Sequence, residues 1–172
     1  LRECGFNTVR LRVFVHPEQE KGYSPGKGFC DQEHTLAMAR RVKEAGMDLL
    51  LNFHYSEYWA DPQQQNQPQA WTGKGFDALR DSLAAHTVQV MTALKNQGTP
   101  PAMVQVGNEI NHGMLWPDGH ISQPDNLAAL LRAGVEAVES VDPTIPIMMH
   151  IALGGQNDES VFWLDNIIDT GQ

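Results

Sequence analysis

Four times along these 172 residues a short run with a two-residue period gives way to a longer run with a helical period, and no other feature restricts the fold as much. Phe6 to Val15 sets Val9, Leu11 and Val13 against Arg10, Arg12 and Phe14. Asp31 then predicts the N-cap of a helix carrying Leu36, Met38, Ala39, Val42 and Ala45 on one stripe, with Gly46 as its stop. Met47 to Phe53 reads as the next strand, with Leu49, Leu51 and Phe53 opposite Asn52 and His54. Leu79, Leu83, Val90, Met91 and Leu94 predict a helix over Phe76 to Asn96. Met103 opens a third strand that ends on Glu109. Ser122-Gln-Pro-Asp125 resembles a capping turn before a helix with Leu127, Leu130, Leu131, Val135 and Val138. Ile145 to His150 is the fourth strand, and Asp158 to Ile168 the last helix.

Strands that alternate with helices make a parallel sheet. The expected class is therefore α/β, and four βα units with polar residues gathered at the strand ends fit half of a (β/α)8 TIM barrel. An open doubly wound sheet is the runner-up; against it, no Gly-rich phosphate loop follows any strand. The chain opens on Leu1 and closes on Asp169-Thr-Gly171, both of which read as helix ends. Residues 1–172 are thus expected to be part of a single barrel domain, truncated at both ends.

Composition narrows the partners. A net charge of -9 argues against nucleic acid, because binders of a phosphate backbone concentrate Lys and Arg on one face. No apolar run approaches the roughly 18 residues of a membrane span. Cys4 and Cys30 lack metal-ligand or redox spacing and are expected to be free thiols rather than a disulfide.

In parallel α/β architectures, ligands bind beyond the carboxyl ends of the strands, where the connecting loops splay apart. The residues expected there are Arg10, Arg12, His54, Asn108, Glu109 and His150, and a carboxyl group flanked by arginine, histidine and asparagine suits proton transfer. The bland reading makes the arginines structural ion-pair partners and the histidines hydrogen-bonded core residues. A metal site built from His54, Glu109 and His150 is the sharper rival, although no HxH, HExxH or paired carboxylate supports it. Trp59, Trp71 and Trp116 fall in loops on the same rim, where indoles suit the C–H faces of sugar rings, or else pin the loops. The Gln-, Pro- and Trp-rich stretch from Tyr55 to about Gly75 is long enough to carry function. Trp163, among Val161, Leu164 and Ile167, is expected in the core.

At these residues the chain becomes familiar. Asn7-Thr-Val-Arg-Leu-Arg-Val-Phe-Val-His-Pro17, Asn52-Phe-His-Tyr-Ser-Glu-Tyr-Trp-Ala-Asp-Pro62, Val104-Gln-Val-Gly-Asn-Glu-Ile110 with Trp116-Pro-Asp-Gly119, and Met149-His-Ile-Ala-Leu-Gly-Gly155 together resemble glycoside hydrolase family 53, the endo-β-1,4-galactanases of clan A. The resemblance implies an endo-acting, retaining hydrolase of β-1,4-galactan, the side chain of type I arabinogalactan and pectin. It implies strands two to five of the barrel. Glu109 would be the general acid/base, Asn108 would hold the sugar 2-hydroxyl, and Arg10 or Arg12 would orient the nucleophile. His54, Trp59, Asp61, Trp116 and His150 would line the substrate. Phe14 stands where the family usually has Trp, and Asn52 and Glu57 where Asp is common. Strand one, strands six to eight and the nucleophile carboxylate of strand seven are not among these residues. The same resemblance implies no cofactor or metal, a monomer, no membrane or nucleic-acid partner, and a secreted or periplasmic parent protein. Alternatives are another clan A β-glycanase, a metal-dependent sugar-converting barrel, or a non-catalytic sugar-binding module. Expressed alone, the 172 residues are expected to fold poorly and hydrolyse nothing, with Arg10, Arg12, Gln105 and His54 left standing in water.

Overall fold

A computed structural model describes residues 2–168. The chain ends that read as cuts, Leu1 and Asp169-Thr170-Gly171, lie outside the described residues. The principal elements in chain order are β1 (Thr8–Val13), α1 (Gln32–Glu44), β2 (Asp48–Phe53), α2 (Phe76–Asn96), β3 (Met103–Val106), a small hairpin of β4 (Gly113–Met114) and β5 (Gly119–His120), α3 (Pro124–Val141), β6 (Ile147–Met148) and α4 (Asn157–Ile168). The main sheet has the order β1-β2-β3-β6, and every pair in it is parallel. Each new strand therefore adds to the same edge, as around a barrel, whereas a doubly wound sheet reverses direction. The helices follow suit: α1 packs on β1, β2 and α2, α2 on α3, and α3 on β3 and α4.

Register turns the alternation read from sequence into a core. Val9, Leu11 and Val13 pair with Leu49, Leu51 and Phe53, and the last two pair with Val104 and Val106, so one apolar set runs across the sheet towards the helices. Leu51, Phe53, Val104 and Val106 are fully buried, as are Leu83, Val90 and Leu94 of α2 and Leu127, Leu130 and Val138 of α3. Helix α1 starts as expected: Asp31 accepts a hydrogen bond from His34 N at 2.7 Å. Trp163 is in the core, and Cys4 and Cys30 are free.

Several boundaries differ from the sequence reading, each for a local reason. Strand β1 stops at Val13 because Phe14 N and Val15 N leave the ladder to donate to Cys30 O and Ser56 O. Strand β3 stops at Val106, three residues short of Glu109, because Gly107 turns the backbone left-handed (φ 76°). The fourth strand shrinks to Ile147–Met148, flanked by Pro146, which has no N–H to donate. No capping box opens α3: Gln123 is the N-cap without a side-chain bond, and Ser122 turns instead to His120 Nδ1.

The inner face of the sheet differs from expectation in part. Arg10 is exposed and Arg12 half-buried, as expected, but Gln105 and His54 are only 1% and 2% exposed, and Asn52 beside them 1%. Gln105 donates to Asn52, Ala60 N donates to His54, and Phe14 and Trp59 pack over the strand ends.

Helix α3 approaches the sheet through Gly134, where a Cβ would stand 2.7 Å from Val106 Cγ1, 3.3 Å from the Tyr55 hydroxyl and 3.5 Å from Leu83 Cδ2. Alanine there improves helix propensity by about 1 kcal/mol. Overpacking against fully buried Val106 costs ~1–3 kcal/mol. The packing term is expected to win, so Gly134→Ala should lower the urea midpoint of unfolding. A raised midpoint would show that Val106 yields freely.

Candidate functional site

The carboxyl ends of β1, β2, β3 and β6 bring together five of the six strand-end residues singled out in the sequence. Asn108, 4% exposed, is the hub. Its Oδ1 accepts from Arg10 Nη2 (2.8 Å), Asn52 Nδ2 (3.2 Å), Gln105 Nε2 (3.3 Å) and His150 Nδ1 (3.3 Å), while its Nδ2 donates to Ala60 O (2.8 Å). Gln105 extends the network, accepting from Arg10 Nη2 at 2.8 Å and donating to Asn52 Oδ1 at 2.7 Å and Gly107 O at 2.6 Å. A buried polar network is stable only when its members are satisfied, and here a single oxygen gathers four donors. Asn52 and Gln105 were not among the candidates; their alternation with Leu51, Phe53, Val104 and Val106 was the available signal.

His54 is held through Nδ1, which accepts from Ala60 N at 3.1 Å and so leaves the ring proton on Nε2. The Asn52 Nδ2 group stands 3.1 Å from Nε2, but in that tautomer both are donors and the two are in contact without a hydrogen bond. Burial, reinforced by the positive charges of Arg10 and Arg12 and by His150, pushes its pKa down to about 3, so the ring is neutral at physiological pH. Burial also lowers the pKa of Arg10 and of His150, and in both cases the Glu109 carboxylate opposes that shift. Glu109, Arg10 and His150 therefore share one electrostatic environment.

Glu109 itself occupies an unusual backbone. Its φ and ψ are both 50°, the left-handed region, two residues after Gly107. Such a conformation costs a non-glycine residue ~1–3 kcal/mol and persists only where surrounding contacts enforce it. The side chain is partly exposed, and among the described residues no hydrogen bond to its carboxylate is seen. It is a partly exposed carboxyl group near enough to Arg10 and His150 to act on the charge of both.

Arg12 stands apart from that network. Its guanidinium lies 4.1 Å from the centre of the Trp59 ring and 5.4 Å from that of Tyr23, and its Nη2 donates to the Tyr23 hydroxyl at 3.2 Å. Its Nε is buried with no hydrogen-bond partner among the described residues. Trp59 also meets His54 and Phe14 edge-on, at 5.6 and 6.0 Å between ring centres, so the two clusters adjoin.

The loop candidates divide. Trp116 is partly exposed, and its Nε1 donates to His112 O at 2.9 Å. The Asp61 carboxylate is taken up by its own turn, accepting from Gln63 N, Gln64 N and Gln64 Nε2 at 2.8, 3.1 and 3.0 Å. Trp71 is not a rim residue: it is 7% exposed and packs on the His86 ring, 6.0 Å between centres, so at this position the loop-pinning reading holds. Among the described residues no three His, Cys, Asp or Glu side chains are grouped so as to hold a metal ion.

Set against known proteins, residues 1–172 match the family model described as Glycosyl hydrolase family 53. The chain is 43% identical over 162 residues to a Niallia circulans protein described as lying in the bgaB 5′ region, covering 90% of this chain and 42% of that protein. It is 35% identical over 169 residues to a probable arabinogalactan endo-beta-1,4-galactanase A of Aspergillus tubingensis, covering 97% and 46%. The GH53 catalytic domain of Ignisphaera aggregans superposes with a TM-score of 0.91 at 37% identity, over 99% of this chain and 47% of that one. The chain thus spans about half the length of the curated relatives it matches.

Proposed function

Because this chain belongs to glycosyl hydrolase family 53, we propose that it forms part of a single (β/α)8 catalytic domain that cleaves β-1,4-galactan, the substrate class in the name of its Aspergillus relative. The observation that carries this reading is Glu109: a carboxyl group without a hydrogen-bond partner among the described residues, on a left-handed turn beyond the carboxyl end of a parallel strand, beside Asn108, Arg10 and His150.

In a retaining glycosidase two carboxyl groups stand about 5–5.5 Å apart; one protonates the leaving oxygen while the other attacks the anomeric carbon. Glu109 takes the first role, donating its proton to the departing sugar and then removing one from the water that releases the glycosyl-enzyme. The nucleophile comes from a later strand, outside these residues. Arg10 and Arg12 supply positive charge on the wall that faces it, and Arg10, anchored on Asn108 and Gln105, is the better placed of the two to act inside the catalytic network. His54, neutral and tethered, shapes that wall without adding charge. Trp59 and Trp116 offer aromatic surface beside the cleft for sugar rings, while Asp61 contributes through the shape of its turn. No cofactor enters this chemistry. The parent protein is taken to act as a secreted or periplasmic monomer; among the described residues, no helix is long and apolar enough to cross a membrane.

The test is reducing-end release by the full-length domain from β-1,4-galactan, with β-1,4-mannan and β-1,4-xylan in parallel. Galactan is expected to be hydrolysed at least about 10²-fold faster, since a site built to hydrogen-bond a given hydroxyl rejects sugars that misplace it. Equal rates on all three would replace the galactanase reading with that of a broad β-glycanase. Binding without hydrolysis would leave a sugar-binding module.

A further inference from the structure

The glutamine-rich run Gln63-Gln64-Gln65-Asn66-Gln67 has no place in the mechanism so far, yet one of its members reaches the backbone of the acid/base itself. Gln65 is 2% exposed. Its Nε2 donates to Asn108 O at 2.8 Å and Glu109 O at 3.2 Å, and to Asp61 O at 3.2 Å. Three carbonyl acceptors around one amide nitrogen fix which way the amide points, because the oxygen end would meet only repulsion there. The carbonyls of Asn108 and Glu109 lie beyond the end of β3, where the sheet offers them no partner. They belong to the turn in which Gly107 and Glu109 are both left-handed, with φ of 76° and 50°.

We propose that Gln65 is a positioning residue for Glu109: its carboxamide clamps two successive carbonyls of the left-handed turn and so aims the acid/base carboxyl group at the scissile bond. Gln65 is itself held from both sides. The Asp61 turn fixes the approach through paired backbone bonds between Asp61 and Gln64, and Trp116 N donates to Gln65 O at 2.7 Å. Gln67 adds a second tie, donating to Leu115 O at 3.1 Å and Asp118 Oδ2 at 2.6 Å. The loop after β2 thereby fastens the loop after β3, so the acid/base and the Trp116 loop move as one body. Without the clamp, Glu109 relaxes toward an ordinary backbone conformation and its carboxyl group swings away. This inference rests on Glu109 being the acid/base.

The experiment compares Gln65→Ala, Gln65→Glu and Glu109→Gln in the full-length domain on two substrates: galactan, whose leaving group needs a proton, and an aryl β-galactobioside, whose leaving group does not. Gln65→Ala is expected to lower kcat on galactan by ~10–10²-fold with little change in KM, the range that follows from small misplacements of a reacting group. The loss on the aryl substrate in the glycosylation step should be several-fold smaller. Gln65→Glu can donate to a carbonyl only when protonated, so its galactan rate relative to the wild type should rise as pH falls. A residue that merely stabilised the fold would lower both substrates by one common factor, at every pH, in step with the folded fraction seen in a thermal melt. That result would overturn the proposal. If Gln65→Ala fails to fold, the pH dependence of Gln65→Glu decides alone: a flat ratio overturns the clamp. Undiminished galactan turnover in Glu109→Gln would instead remove the acid/base reading on which the clamp depends.

Discussion

Replacing Glu109 with glutamine in the full-length domain is expected to cut galactan turnover by on the order of 10²–10⁴-fold, the usual worth of general acid/base help, while leaving galactan binding nearly intact. The amide preserves the volume and the left-handed backbone of the turn, and Gln65 still has both carbonyls to hold. What disappears is the transferable proton. An aryl glycoside with an activated leaving group should lose much less in the first step, although the water that completes the reaction would still lack its base. A second readout is independent of turnover. The Glu109 carboxylate props up the pKa of His150 against burial and against Arg10, so removing that charge should move the His150 titration further down, visible in its ring resonances. Unchanged turnover on polymeric galactan would sink the assignment of Glu109. An unchanged His150 titration would show that the two groups are not electrically in contact.

Acid stability should be governed by buried histidines, and His86 is the one that can be changed without touching the site. It lies on α2 against Phe53, Tyr55 and Trp71, at 5.9, 6.4 and 6.0 Å between ring centres, and its Nε2 is buried without a hydrogen-bond partner among the described residues. Burial, assisted by His16, pushes its pKa from 6.5 down to about 4. The folded state therefore refuses a proton that the unfolded chain accepts over that interval. Stability is fully present above pH 6.5 and falls as the pH drops toward 4, after which this ring contributes no further slope. The lowered pKa corresponds to a loss on the order of 2–3 kcal/mol near pH 4.5 relative to neutrality. His86→Phe keeps the aromatic contacts and removes the protonation site. It should recover most of that loss near pH 4.5 and also gain at neutral pH, since the orphaned nitrogen goes with it. Urea melts of both proteins at the two pH values give the comparison. Equal acid sensitivity would mean that His54, whose pKa is pushed still lower, carries the effect through the site network.

Legibility followed the range of the interactions involved. Helix α2 begins and ends where its apolar spacing predicts, at Phe76 and Asn96, because its stripe and the Gly98 stop are local. The gathering of Arg10, His54, Asn108, Glu109 and His150 was likewise readable, because a parallel βα chain must bring successive strand ends to one side. Trp71 and Trp116 looked alike in the sequence, yet one is packed under its loop and the other stands at the rim; nothing local to either residue separates them.

The sequence by itself determined the class of fold, the order of its strands and the carboxylate at the open end, since each of these follows from periodicity, chain direction and residue chemistry. Tertiary structure alone decided how that carboxylate is held. The left-handed turn at Glu109, three of the four donors on Asn108 Oδ1 and the carboxamide of Gln65 depend on groups that are 42 to 98 residues apart along the chain. Each contact forms only when the sheet register and the loops after β2 and β3 are both in place, because a hydrogen bond is made at about 3 Å and the chain carries no local record of which distant acceptor will lie within that reach.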